Sequence, residues 1–315
     1  MSSTPITRPA AGTLPGTLSD SAPSSLPGAA TVLGYAAIAV AVTIWAGFAL
    51  SIRGIGASML APADVALIRF GVPVLVLAPL LPSRIAALRR VRPFDAILIA
   101  AGAGLPFFFL ASMGGALTSA AHVGALIAGT TPLSVALLLR VVERRRITPG
   151  LGPALALISG GVVLLVAGQG ALDGAVLAGA GLLLCASLLW GAYTLGLRRA
   201  GLDPVGCTLL LGLPSLALLL VLIGAGAVET RIAQAPLSEI LPFVAVQGFG
   251  VGVLASLAYA AAISRLGPAR CAAIGSLAPA LAALGAVPLL GEALTPIVVA
   301  GIALVTFGVF RATRH

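Results

Sequence analysis

The chain has 315 residues, of which 59% are apolar and only 9% are charged, with a formal net charge of +9. A typical soluble domain carries roughly 25% charged residues, and surface-to-volume scaling gives a globule of this length more surface than so few polar groups can cover. Water-soluble enzymes, nucleic-acid binders and disordered proteins are thereby excluded. What fits is a polytopic, all-α membrane protein whose partner is the lipid bilayer, since each helical span takes about 20 mostly apolar residues.

Residues 1–31 are rich in Ser, Thr, Pro, Gly and Ala, with Arg8 and Asp20 as their only charges. This composition predicts a disordered tail. It lacks a basic stretch running straight into an apolar one, so the first apolar run reads as a retained span and not as a cleaved signal. Ten apolar runs follow, at 32–52, 64–82, 95–113, 117–139, 150–168, 174–197, 205–227, 238–260, 269–290 and 294–311. Each is taken as a transmembrane helix. Cys185, Cys207 and Cys271 fall far apart inside these runs, without metal-ligand spacing, and read as small packing residues. No metal cluster, nucleotide loop or other cofactor motif stands out, and no Ser-His-Asp set.

The basic residues are all Arg, and their placement predicts topology. With the N-terminus inside, 15 of the 18 Arg fall on inside segments, and only Arg53 and Arg231 fall outside. Arg69 lies within the second span. Cytoplasmic loops carry the excess of basic charge, so both termini are expected in the cytoplasm and the span number is even. The localisation that follows is a plasma membrane, the inner membrane of a bacterium.

The two halves resemble each other at an offset near 145. VTIWAGFAL around Trp45 matches LLWGAYTLGL around Trp190, and VGALIAGTTPLSVALL with Pro132 matches RCAAIGSLAPALAALG with Pro279. The expected units are residues 32–168 and 174–311, with five spans each. Five is odd, so the second unit is expected upside down relative to the first. Inverted repeats of this kind mark transporters that open to each side in turn. One spacing departs from the symmetry: Pro279 precedes Glu292 by 13 residues, but Pro132 precedes Glu143 by 11.

These segments carry a family resemblance. Trp45-Ala46-Gly47 and Trp190-Gly191, Leu67-Ile68-Arg69-Phe70, the small-residue runs ending at Pro132 and Pro279, and Leu290-Gly291-Glu292 together resemble the EamA-type ten-helix members of the drug/metabolite transporter superfamily. The resemblance covers about residues 32–311. It implies two inverted five-helix repeats around a central cavity for a small-molecule substrate, commonly with export of amino acids or related metabolites. A homodimer is compatible with it.

Ionisable groups inside a membrane are costly, which makes them candidate functional groups. Arg69 offers a planar fork that suits a substrate carboxylate; the competing reading is a helix-end Arg paired with Asp64. His122, near the start of the fourth span, could contact substrate or relay a proton, or be a hydrogen-bonded boundary residue. Gln247 and Tyr259 in the eighth span are 12 residues apart. At 100° per residue they do not share one narrow face, and each could line a polar cavity or bond a neighbouring helix. Trp45, Trp190 and Tyr193 are candidate aromatic walls, both Trp lying too deep in their spans for interfacial anchors. Pro132 and Pro279 are the candidate hinge pair. Glu143 and Glu292 sit at span ends, the first read as a solvated charge and the second as a cap or partner at the outer mouth. The function these readings favour is secondary transport without enzymatic activity. An intramembrane lipid-modifying enzyme and a membrane scaffold are the alternatives; His122 is thin support for the first, and the second gives no reason for an inverted repeat.

Overall fold

The computed structural model describes residues 28–144, 151–168 and 173–312. Most of the tail, together with Arg8, Arg145, Arg146 and Arg314, lies outside them. The described residues form helices joined by turns, with no strand among them. In chain order the helices are α1 (Ala29–Ala57), α2 (Pro62–Arg89), α3 (Pro93–Ala116), α4 (Ala120–Val142), α5 (Gly152–Gly168), α6 (Gly174–Ala200), α7 (Pro204–Gly224), α8 (Leu237–Leu266), α9 (Pro268–Gly275), α10 (Ala278–Leu290) and α11 (Pro296–Ala312).

Seven of these are long and apolar enough to cross a membrane: α1 to α4 and α6 to α8. The fifth and tenth expected spans are shorter apolar helices of 17 residues each, α5 and α11. The ninth is divided into α9 and the 13-residue α10. Gly291, at φ 66°, ends α10, and Pro296 opens the next helix. Hydropathy alone merges such pieces into one run, because it does not register where backbone hydrogen bonding stops.

The helix starts follow from their caps. Asp203 accepts from the N–H groups of Val205 and Gly206, with Pro204 in the first turn of α7. Asp173 accepts from Ala175 N–H ahead of α6, which closes at Gly201 in the left-handed conformation. Such caps satisfy amide groups that a helix end leaves without partners.

Packing joins distant parts of the chain. Helix α1 packs on α8 and α10, α6 on α3 and α4, α2 on α7 and α8, α7 on α3, and α5 on α11. The last pair is in backbone contact: a Cβ on Gly161 would fall 2.7 Å from the carbonyl oxygen of Gly301, a closeness that small residues permit between membrane helices. Phe107, Phe108, Ile52, Leu126 and Leu183 are buried at the centre of the bundle. Leu75, Val141, Val163, Leu220, Leu289 and Phe307 point outward and are exposed. So much outward apolar surface is incompatible with water and suits lipid. The chain is a multi-pass membrane protein.

The two ends of the bundle can be told apart along α4. Where α4 begins, Arg53 at the close of α1 meets Glu292 just after α10. Where α4 finishes, Glu143 meets Arg198 and Arg199 at the end of α6. These are called the Arg53 end and the Arg199 end below.

Candidate functional site

Arg69 projects from α2 into the centre of the bundle and is only 6% exposed. Its Nη1 donates to Gln247 Oε1 of α8 at 2.7 Å. Gln247 is fully buried and its Nε2 donates at 2.7 Å to the hydroxyl of Ser51 on α1. Three rings surround the guanidinium, with its carbon 5.0 Å from the centroid of Phe48, 5.8 Å from Phe70 and 5.9 Å from Phe108. The Nε of Arg69 has no hydrogen-bond partner, and Arg69 enters no ion pair among the described residues.

Asp64 is not its partner. Five residues on an α-helix turn through about 500°, which puts the two side chains on different faces. The Asp64 carboxylate is committed elsewhere: it accepts from the N–H of Ala61 at 2.8 Å, capping the start of α2, and from the N–H of Arg231 at 2.9 and 3.1 Å. Arg69 is therefore a buried cation without a counter-charge. At the centre of a membrane helix such a group costs about 2.5–3.5 kcal/mol, an upper bound for Arg69, which lies nearer one end of α2. Cation–π contacts of about 0.5–2 kcal/mol each and the Gln247 hydrogen bond offset part of that cost. Gln247 reaches this position from a π-helical stretch, Val244–Leu254. Insertions of that kind shift the phase of all later side chains and often mark functional positions.

Most of the other candidate residues divide into groups. Trp190 and Tyr193 of α6 adjoin the Arg69 centre: their rings are 5.0 Å apart, Trp190 lies 5.4 Å from Phe107, and Phe107 lies 6.0 Å from Phe48. Tyr193 is held there by close approach of α3, since a Cβ on Gly102 would fall 2.6 Å from its backbone nitrogen. Trp45 and Tyr259 form a separate edge-to-face pair at 5.0 Å, in the cluster of Ile38, Val42 and Ala262. Gln247 and Tyr259 thus serve different neighbourhoods.

His122 is fully buried but stands outside both groups. Its Nδ1 is 2.7 Å from Ser119 Oγ and its Nε2 is 3.0 Å from the Leu165 carbonyl oxygen. A carbonyl only accepts, so Nε2 carries a proton and the neutral ring takes the Ser119 hydroxyl at Nδ1. The ring ties α4 to α5.

Pro132 and Pro279 share a local setting. Each is the second residue of a helical segment, Thr131–Val142 and Ala278–Leu290, that follows an interruption. In α4 the interruption is a π stretch, Val123–Gly129; ahead of α10 it is the break after Gly275. First-turn proline loses no helical hydrogen bond, so the prolines follow the breaks and are not interior kinks. At the first break, Thr130 and Ser134 of α4 bond to the Ser187 hydroxyl of α6 at 2.8 and 2.9 Å.

Phe48, Ser51, Phe107 and Phe108 are site residues that sequence reasoning passed over. The run Phe107-Phe108-Phe109, close after Gly102 and Gly104 in a span, was the available signal. Among the cysteines, Cys207 and Cys271 are buried, but Cys185 faces outward and does not pack.

The ends carry polar closures. At the Arg53 end, Arg53 Nε lies 3.2 Å from Glu292 Oε1, and both Glu292 oxygens accept from Ala120 N–H at 3.2 and 3.0 Å. At the Arg199 end, Arg199 lies 3.0 Å from Glu143 and 3.4 Å from Asp95, with Arg198 3.2 Å from the same Glu143 oxygen. A cavity of about 450 Å³ opens at the Arg53 end, lined by Ile52, Phe109, Ser112, Glu229 and Arg231 among others. Ile52 and Phe109 are chain neighbours of Ser51 and Phe108, and the buried Ser112 hydroxyl has no partner. A second cavity of about 400 Å³ at the Arg199 end is lined by Arg90, Arg92, Asp95 and Arg199 with Val91 and Ala200.

Fold and site together define a helical membrane protein with an uncompensated cation at its centre and an ion-paired closure at each end. Residues 177–314 match the EamA-like transporter family, and the resemblance read from the sequence holds over that second half of the chain. The family suggests a membrane transporter of the drug/metabolite superfamily. A solved crystal structure of a protein 20% identical superposes with a TM-score of 0.61, covering 90% of this chain and 97% of its own; at that identity the likeness is one of fold. No curated protein matches the chain.

Proposed function

We propose that the protein is a secondary transporter that exports small metabolites, amino acids or related compounds, by alternating access. On this reading all ten apolar segments span, with α9 and α10 together as the ninth. Residues 32–168 and 174–311 form two inverted halves, and both termini face the cytoplasm of a bacterial cell. The contacts support the repeat. Counting α9 and α10 as one span, each half maps onto the other: α1 on α8 and α10 corresponds to α6 on α3 and α4, and α2 on α8 corresponds to α7 on α3.

The observation that carries the reading is the matched pair of closures. Arg53 follows Trp45 by eight residues, and Arg198 follows Trp190 by eight. Each Arg closes its helix onto a Glu at the end of the span that corresponds in the other half: Arg53 onto Glu292, Arg198 onto Glu143. The differing Pro-to-Glu spacings therefore do not separate the two Glu residues; both reach the equivalent partner. The pairs are partly exposed, with side-chain exposures of 35% and 18% for Arg53 and Glu292, and exposed pairs contribute only about 0.2–1 kcal/mol. Such pairs are weak enough to exchange, as opening one end and then the other requires.

The test is substrate flux in proteoliposomes, joined to thiol labelling of single cysteines at each end in a cysteine-free background. Flux with reciprocal labelling of the two ends is expected. Simultaneous labelling of both ends during flux would indicate a channel. Reporter fusions at the C-terminus and within 228–236 should report opposite sides, and signals from the same side would overturn the ten-span topology.

A further inference from the structure

We infer that the Arg69 centre selects singly charged organic anions, a carboxylate on a flat apolar body, over zwitterions and neutral analogues. The inference rests on the transport reading and, among its candidate metabolites, favours acids without an ammonium group over the zwitterionic amino acids. One guanidinium supplies one positive charge, and its Nε is buried without a partner. A carboxylate that reached this edge of the fork would gain a charge-assisted hydrogen bond and neutralise a cation that now has no counter-ion. Gln247 holds the other edge through Nη1 and is itself fixed by Ser51, so the fork is already oriented and little ordering remains for a ligand to accomplish.

The surroundings set the rest of the specificity. Phe48, Phe107 and Trp190 form a continuous aromatic run beside the guanidinium, which offers faces for an apolar body. Among the described residues no free carboxylate stands at this centre to pair with an ammonium group. Asp64 is held by two backbone amides, while Glu292 and Glu143 are engaged at opposite ends of the bundle. The Arg69 charge also repels a second cation.

Three probes with one body decide the matter: 3-phenylpropanoate, 3-phenylpropanamide and phenylalanine. Binding to the purified protein in detergent is read by quenching of tryptophan fluorescence and by calorimetry. The acid is expected to bind at least tenfold more tightly than the amide and than phenylalanine. Arg69→Gln should erase the preference of acid over amide, and Arg69→Lys, which keeps the charge but loses the fork, should keep part of it. Equal or tighter binding of the amide or of phenylalanine overturns the inference, as does failure of all three to bind, or a preference that survives in Arg69→Gln. Should Arg69→Gln not fold, the wild-type ranking and Arg69→Lys decide alone. Flux in proteoliposomes separates this inference from the reading beneath it: anion-selective binding without flux sinks transport only, while flux with no charge preference sinks the selectivity only.

Discussion

The closures at the two ends of the bundle use the same residue types at corresponding positions, yet they are built differently. At the Arg53 end a single Arg meets a single Glu, and the Glu is also anchored to backbone, taking the N–H of Ala120 with both oxygens. That amide is among those a helix start leaves without an internal partner. At the Arg199 end two Arg residues share Glu143, and Arg199 also reaches Asp95, each of these contacts joining one side chain to another. The first closure is thus centred on a carboxylate fixed by backbone. The second is a redundant network that tolerates loss of one member. Like residue types at the two ends make like pairs, but do not set how firmly each pair is held.

The largest expected effect tests the support beneath the Arg53 end. His122 lies two residues from Ala120 and pins the start of α4 to α5 through Ser119 and the Leu165 carbonyl. His122→Ala leaves those groups unpaired in a buried place, at about 1–3 kcal/mol. Thermal unfolding should report the loss, and thiol labelling should rise at the Arg53 end alone. Equal loosening of both ends would show that the closures are not independently supported.

Neutralising the two carboxylates comes next. Glu292→Gln should favour opening at the Arg53 end and Glu143→Gln at the Arg199 end, each by about 1–2 kcal/mol, a factor of roughly 5–30 in the equilibrium. Labelling rates at the two ends should move in opposite directions between the variants. Movement in the same direction would break the proposed alternation.

A smaller difference sharpens the comparison directly. Arg53→Gln removes the only Arg of its pair, whereas Arg198→Gln leaves Arg199 on Glu143. The first should change labelling by about 0.2–1 kcal/mol, the usual range for exposed pairs, and the second by less. If Arg198→Gln has the larger effect, redundancy is not what distinguishes the ends.

The smallest effect belongs to the prolines. Because Pro132 and Pro279 stand in first turns, replacement with Ala costs no buried hydrogen bond, and shifts below about 1 kcal/mol are expected. Their sign is the informative part: Pro132→Ala and Pro279→Ala should bias the labelling in opposite directions. Shifts of the same sign would make the prolines simple helix starts.

What the sequence determined by itself was what depends on local composition. Apolar runs located the helices, because a bilayer imposes the same requirement on every span. The Trp45 and Trp190 segments exposed the internal likeness, and Arg69 stood out because a charge in such a run is costly wherever it lies. The tertiary structure decided what depends on rotation and register. Arg69 and Gln247 are 178 residues apart, and their meeting depends on how α2 and α8 face each other, to which the π stretch of α8 contributes. The same is true of Asp64, whose carboxylate turned out to serve the amides of Ala61 and Arg231 instead of Arg69, and of His122, which turned to α5 and not to the centre. Hydropathy is a sum over neighbours along the chain, whereas a hydrogen bond or an ion pair is a condition on direction and distance across it, and only packed helices set those.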